Sequence, residues 1–366
     1  MKIEELRAML AKVEDPRRTN KGNIRHKLED IIIIGLCSLI CNGNDFSDME
    51  DFGKARQAWL KQFLELPNGI PDSDTFRRVF ERLKPDALAE CLYAWLGQHR
   101  PKGSVVAIDG KTICGSKNAN HRAYHVVSAF VAENQLTLGE ITTDEKSNEI
   151  TAVPELLDMI DVQGSIVTAD AMSCQRDIVQ KIRTKEADYV IALKNNQPTL
   201  WQDTDLYFKT FADELPTIHT AEKNHGRIEI RDYYITNDIT WLSTREEWID
   251  LKALGMVRSK RIVDGVESVE CRYYITSLKD VEQLAYAIRK HWAIENQLHW
   301  CLDVIFREDD SRARKDFSPL NLNILRKTAL ALCKSADFGK RVSLQKRRYR
   351  ASLDPDAFLR ILWGGF

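Results

Sequence analysis

Over the first hundred residues apolar positions recur every three or four places, the spacing of helix faces packed on a core. It predicts helices near Ile3–Val13, Leu28–Cys41, Asp48–Leu64 and Pro85–Leu96, and one carrying TFRRVFERL with Asp72 or Ser73 as N-cap. A short polar stretch, QHRPKGS at Gln98–Ser104, then breaks the pattern. Beyond it the apolar runs shorten. VVAIDG (Val105–Gly110) reads as a strand, and Tyr124–Thr143 as two strands joined by a turn at Glu133-Asn134-Gln135. ITAVPELLDMIDV has helical period with Pro154 near its first turn, SIVTADAM (Ser165–Met172) is a strand, CQRDIVQKIRTKEA an amphipathic helix, and DYVIALK (Asp188–Lys194) a further strand. Three antiparallel-capable strands followed by β–α alternation predict a mixed α/β sheet with helices on its faces.

From Asn195 to Leu278 the pattern is weaker and more β-like, with RIEIRDYYIT and VECRYYITSL as strands and LPTIHTAEKNHG as a polar connection. Helical spacing returns at Asp280–Leu302 and Pro319–Ser335. The organisation expected is a helical N-terminal domain over 1–100, a mixed α/β domain over 101–335 with a β-rich insertion at about 195–278, and a basic tail over 336–366.

Composition narrows this little. Of 366 residues, 43% are hydrophobic and 29% charged, an ordinary globular balance that argues against a disordered or fibrous chain. With 53 basic and 54 acidic residues the chain is no general polycation, so any nucleic-acid binding must come from local patches. The longest apolar run, IIIIGLCSLI at Ile31–Ile40, is too short for a bilayer and reads as a buried helix. The N-terminus lacks a signal-peptide pattern, so a cytoplasmic location and no membrane partner are expected. None of the eight cysteines forms a CxxC pair, and they read as small core residues in a reducing compartment.

The chemistry lies in carboxylates. Asp109 and Asp170 each end an apolar strand, where a carboxylate is held rigidly beside an accessible loop. Hard divalent ions take such oxygen ligands, and a pair of ions about 4 Å apart suits in-line phosphoryl transfer. One such Asp alone reads first as a strand-end cap or turn residue, and two apolar strands each ending in Asp within one sheet shift the balance towards a metal site without deciding it. Glu295 falls within the apolar series Ile288, Trp292, Leu298 and Leu302, where an acid needs a partner. Metal coordination would supply one, and so would an edge position or a pairing with Arg289 or His299.

AIDGKT with Asp109, VTADAM with Asp170, DYVIALKNNQ, and HWAIENQLHW with Glu295 resemble the bacterial insertion-sequence transposases with a DDE active site on an RNase H-like fold. RHKLEDIIIIGLCSLICNGNDFSDMEDFG and PDSDTFRRVFERL extend the likeness over nearly the whole chain. It is nearest to the H-repeat-associated proteins. The resemblance implies an RNase H-like catalytic core interrupted by a β-rich insertion. It also implies Asp109, Asp170 and Glu295 as the triad holding two Mg2+ ions, with Mn2+ as an alternative. The implied activity is cleavage and joining of double-stranded DNA at element ends and target by an enzyme self-associated on DNA. A catalytically silent DNA-binding descendant is the alternative. The wider branch places Tyr seven before, Arg four before and Lys seven after its Glu. Those positions here hold Ile288, His291 and Leu302, with Tyr286, Arg289 and Lys290 nearby.

DNA contacts need Lys and Arg for phosphates plus a helix or arm for bases. Lys12–Lys27 carries a net +4 and Lys334–Arg350 a net +6. The helix after PDSD presents Arg77, Arg78 and Arg82 and is the candidate recognition helix. Lys111, Lys194, Arg227 of HGRIEIR, Arg289, Lys290 and His291 complete the candidate DNA-binding set. REDDSRARKD at Arg307–Asp316 reads as a solvated or salt-bridged connection, with Asp303 and Glu308 as substitute acids should Glu295 fail.

Overall fold

The computed structural model describes residues 3–17, 24–118, 122–143, 149–224, 227–339 and 342–363. Arg18, Lys21, His225, Lys340 and Arg341 of the basic clusters and motifs lie outside the described residues. In chain order come helices α1 (Ile3–Leu10), α2 (Leu28–Ile40), α3 (Phe46–Ala55), α4 (Gln57–Leu60), α5 (Ser73–Arg82) and α6 (Pro85–Gly97). Strands β1 (Val105–Thr112), β2 (His125–Val131) and β3 (Leu136–Thr143) follow, then α7 (Glu149–Met159), β4 (Ile166–Ala169), α8 (Arg176–Thr184), β5 (Asp188–Leu193) and α9 (Pro198–Phe211). Strands β6 (Thr217–Asn224), β7 (Arg227–Thr236), β8 (Ala253–Val263) and β9 (Val266–Thr276) lead to α10 (Val281–Ala293), α11 (Ser318–Ser335), α12 (Leu344–Leu353) and α13 (Pro355–Trp363).

These elements form two compact units. One holds Met1–Pro101, Gly110–Lys146 and Glu295–Phe366, the other Lys102–Asp109 and Ser147–Ile294. In the first unit Ile31–Ile34 of α2 are fully buried, each worth about 2 kcal/mol of transfer free energy. Helices α3 and α11 pack on α2. Helix α5 starts where the Asp72 carboxylate accepts from the Thr75 N–H at 2.7 Å, and it buries Phe76, Val79 and Phe80. Strands β2 and β3 form the hairpin expected, with Gln135 of its turn at φ +61°. The C-terminal stretch expected as a tail folds instead as α12 and α13, which bury Leu344, Ala351, Phe358, Ile361 and Leu362. Its charges hid an apolar face narrow enough to escape notice.

The second unit carries a mixed sheet in the order β1-β4-β5-β9-β8-β7-β6. Strands β1, β4 and β5 are parallel neighbours, and the remaining pairings are antiparallel. Two expectations fail here. Pro198–Phe211 is a helix, started by Pro198 in its first turn. The supposed connection at 217–224 is strand β6, an edge whose polar residues pair with β7 from Thr217↔Tyr234 to Asn224↔Arg227. Its exposed and half-buried residues alternate, but the half-buried face includes Thr220 and Glu222 beside Ile218, so the alternation does not show as apolar against polar. Helix α10 docks closely, because a Cβ at Gly255 of β8 would meet Leu284 Cδ2 at 2.6 Å. No helix among the described residues is long and apolar enough to cross a membrane.

Candidate active site

Parallel pairing of β1 with β4 sets Ile108 opposite Ala169. The next residues are Asp109 and Asp170, which stand at the same level of neighbouring strands. Strand β4 ends before Asp170, but β1 runs on to Thr112, so the strand end expected at Asp109-Gly110 is corrected and Asp109 lies within β1. The strands behind them, Val105–Ile108 and Val167–Ala169, are buried, which fixes the carboxylates' roots.

Asp170 Oδ1 accepts from the backbone N–H groups of Met172 (3.0 Å) and Ser173 (3.4 Å), capping the short turn Ala171–Ser173. Burial and the charge of Glu149 push its carboxyl above the usual range, against those N–H bonds and Lys194. Helix α7, which opens with Glu149, packs on the same turn. Glu149 is itself buried at 4% exposure. Sequence reading passed over it; the available signal was an acid immediately before an apolar helix that follows the hairpin.

One turn before Glu295, His291 Nδ1 of α10 shares a hydrogen bond of 3.0 Å with Thr168 Oγ1 of β4. Burial lowers the pKa of this imidazole to about 4, so the ring is neutral at physiological pH. After Ala293 the helix widens into π-helical turns, Ile294–His299 and Cys301–Ile305. Wider turns shift the faces. Within them Ile294 is buried and Glu295 exposed, while Leu298 and Leu302 keep the buried places expected; Trp292, 37% exposed, precedes them in α10. The expected place of Glu295 on the apolar face is thus corrected: an extrapolated 3.6-residue period does not hold through a π turn. Glu295 belongs to the first unit and the two aspartates to the second. Among the described residues no group of three or more His, Cys, Asp or Glu side chains is placed to hold one metal ion.

Lys111 extends β1 two residues past Asp109. Its Nζ lies 2.7 Å from Asp303 Oδ1 and 3.0 Å from Glu308 Oε2, and its side chain is 10% exposed. Glu308 is fully buried. Burial raises its carboxyl, but Lys111, Arg326 and Asn323 outweigh that and hold it below the usual range. Gly115 makes room, since a Cβ there would stand 2.9 Å from the Glu308 carbonyl oxygen. Lys111 and Glu308 are therefore engaged with each other, which removes the solvated reading of Glu308 and its role as a substitute ligand.

A model described as "Transposase DDE domain" matches residues 100–332, and one described as "DDE_Tnp_1-associated" matches residues 7–96. The chain belongs to the DDE transposase family. The protein named "Putative transposase YncI" of Escherichia coli O157:H7 is 37% identical over 97% of this chain and 93% of its own. The protein named "H repeat-associated putative transposase YhhI" of Escherichia coli (strain K12) is 36% identical over 100% of this chain and 99% of its own. A shorter relative, "Inactive transposase YbfQ" of the same strain, is 34% identical over 23% of this chain and 98% of its own.

The candidate DNA-binding residues of this transposase stand in varied surroundings. Arg78 and Arg82 are exposed on α5, Arg78 reaching Asp74 at 3.4 Å. Arg77 is held between Asp74 (2.9 Å) and Glu81 (2.8 Å). Lys194 is exposed just after β5. Arg227 pairs with Glu229 at 2.9 Å, Arg289 pairs with Glu222, and Lys290 lies 5.4 Å from the Tyr286 ring centre. His291, neutral and bonded to Thr168, brings no charge to a phosphate.

Proposed function

We propose that this transposase cleaves DNA strands at the ends of an insertion element and joins the freed ends to target DNA. In this reading β1, β4, β5 and the β2–β3 hairpin are the strands of an RNase H-like core, and residues from α9 to β9 its insertion. The observation that carries it is the register of β1 on β4, Ile108 opposite Ala169, which supports a reading in which Asp109 and Asp170 act from one level of neighbouring parallel strands. The donor set fits a hard divalent ion: two carboxylates from one level of neighbouring strands, one of them made harder to ionise by burial and then by Glu149, have strong reason to accept a cation. Asp109, Asp170 and Glu295 would hold two ions, Mg2+ or Mn2+, which when bound stabilise the attacking and leaving oxygens of the phosphodiester.

The protein's own groups do the rest. The Met172 and Ser173 N–H groups fix one oxygen of Asp170. The His291–Thr168 bond ties α10 to β4, and Glu295 is the second residue of the π turn that follows α10. Exposed Lys194, Arg78 and Arg82 supply phosphate contacts. No protein nucleophile is required, since water and then a DNA 3′-hydroxyl attack. Pairing of two element ends implies self-association on DNA. The test is nicking of a plasmid carrying the DNA that flanks the gene, with Mg2+ or Mn2+, beside Asp170→Asn. Nicks at the flanks that vanish in the variant support the reading. Binding without nicks would instead support a silent DNA-binding descendant.

A further inference from the structure

The Lys334–Arg350 cluster plays no part in the site described above, yet it contributes to a cavity of its own. In the first unit a cavity of about 450 Å³ is lined by Arg307, Lys346 and Arg348, with Ser343, Tyr349 and Val304 among its walls and no Asp or Glu. Arg307 comes from the turn after the second π segment; Lys346 and Arg348 come from α12. Arg348 is 2% exposed. Its Nε and Nη2 donate to the Leu39 carbonyl at 3.1 and 2.8 Å, its Nη1 donates to the Ile305 carbonyl, and its guanidinium lies 4.1 Å from the Phe306 ring centre. Burial lowers its pKa to about 10, which still leaves it charged. Its partners among the described residues are carbonyls and a ring. A guanidinium carries five N–H groups, so these bonds do not exhaust it. A buried cation without a carboxylate favours an anion in the adjoining space.

The cavity also faces the start of α12, ten residues long. Ser343 Oγ accepts from the Lys346 N–H at 3.3 Å, and the positive end of the helix adds to the same field. Lys346 is exposed, and its Nζ lies 5.4 Å from the centre of the exposed Tyr349 ring. Arg307 reaches Asp310 at 3.0 Å but keeps a 63% exposed side chain. Buried guanidinium, two exposed cations and a helix start make a cradle for one tetrahedral dianion or phosphodiester.

We propose that this cavity seats a backbone phosphate of duplex DNA, an anchor outside the carboxylate site. The proposal rests on the DNA-acting role given above. Lys346→Ala and the double variant Arg307→Ala/Lys346→Ala leave the carbonyl-capping Arg348 in place, so both should fold. The probe is a short duplex from the DNA flanking the gene, titrated at several salt concentrations, with Lys102→Ala as an exposed control. The slope of log affinity on log salt should become less negative by about one for the single variant and about two for the double. Affinity should fall roughly three- to tenfold for each charge removed, alike for flanking and unrelated duplexes. An unchanged slope and affinity in the double variant, with wild type binding duplex, would overturn the proposal and leave the DNA-acting role standing. Failure of the wild type to bind any duplex would sink both. Stabilisation of wild type but not the double variant by inorganic phosphate, with duplex binding unchanged, would assign the cavity to free phosphate and overturn the DNA assignment.

Discussion

The Nδ1 atom of His291 and the hydroxyl of Thr168 are 3.0 Å apart, joining α10 to β4 two residues before Asp170. A neutral ring is built into this bond, and its pKa of about 4 lies below the ordinary histidine value of 6.5. The unfolded chain therefore takes up a proton that the folded chain refuses between about pH 6.5 and pH 4. The stabilisation is complete above pH 6.5 and is lost as pH falls towards 4. It is on the order of 2 kcal/mol, discounted from the full shift because the ring keeps some exposure. Urea unfolding across that window should show a shallower pH dependence for His291→Asn than for wild type. Parallel curves would show that the ring titrates freely.

Buried ion pairs are costly to break from one side. Replacing Lys111 by Met leaves Glu308, fully buried, without its nearest cation. A loss of about 3 kcal/mol is expected in urea unfolding, and Lys111→Arg should restore part of it. Full stability combined with weakened DNA binding would return Lys111 to the role of a phosphate contact.

The arginines of α5 should divide into two kinds. Arg78→Ala and Arg82→Ala remove exposed charges and should each make the salt slope of duplex binding less negative by about one, with stability changed by less than about 0.5 kcal/mol. Arg77 holds Glu81, which is 4% exposed. Arg77→Ala should therefore lower stability by about 1–3 kcal/mol. Equal effects of all three on DNA binding, with no stability loss, would contradict this division.

Those contrasts mark what the chain discloses by pattern. The β1, β4 and β5 runs and the aspartates that close their apolar stretches were legible because buried parallel strands are continuous apolar segments followed by a polar residue, though β1 runs on through Asp109 to Thr112. Their register was not, since pairing depends on partners distant in sequence. Glu295 was legible as a residue but not in its exposure, because π turns abandon the period used to place it. Helix α9 was misread because its mixed polar and aromatic residues fit either period, and strand β6 because its mostly polar residues read as a connection. Least legible were the buried charges. Arg326, Lys327 and Arg348 count as surface residues in any hydropathy pattern, yet their exposures are 1%, 3% and 2%. Lys327 sits 2.5 Å from Glu140, and Arg348 caps carbonyls of distant segments. Only the fold supplies such partners.

Glu149 offers a further check near the aspartates. Its charge opposes ionisation of Asp170. Glu149→Gln should lower the pKa of Asp170 and move the acid limb of any metal-dependent activity to lower pH. An unmoved acid limb would show that Glu149 leaves Asp170 unaffected.

The central claim is that Asp109, Asp170 and Glu295 act as one unit on DNA. The most direct measurement compares Asp109→Asn, Asp170→Asn and Glu295→Gln for Mg2+-dependent nicking of the flanking DNA, alongside duplex affinity and urea stability. Each variant should lose nicking by at least about a thousandfold, with duplex affinity within a few-fold of wild type and folding intact. Nicking by Glu295→Gln at the wild-type rate, with Asp109→Asn and Asp170→Asn inactive, would contradict it.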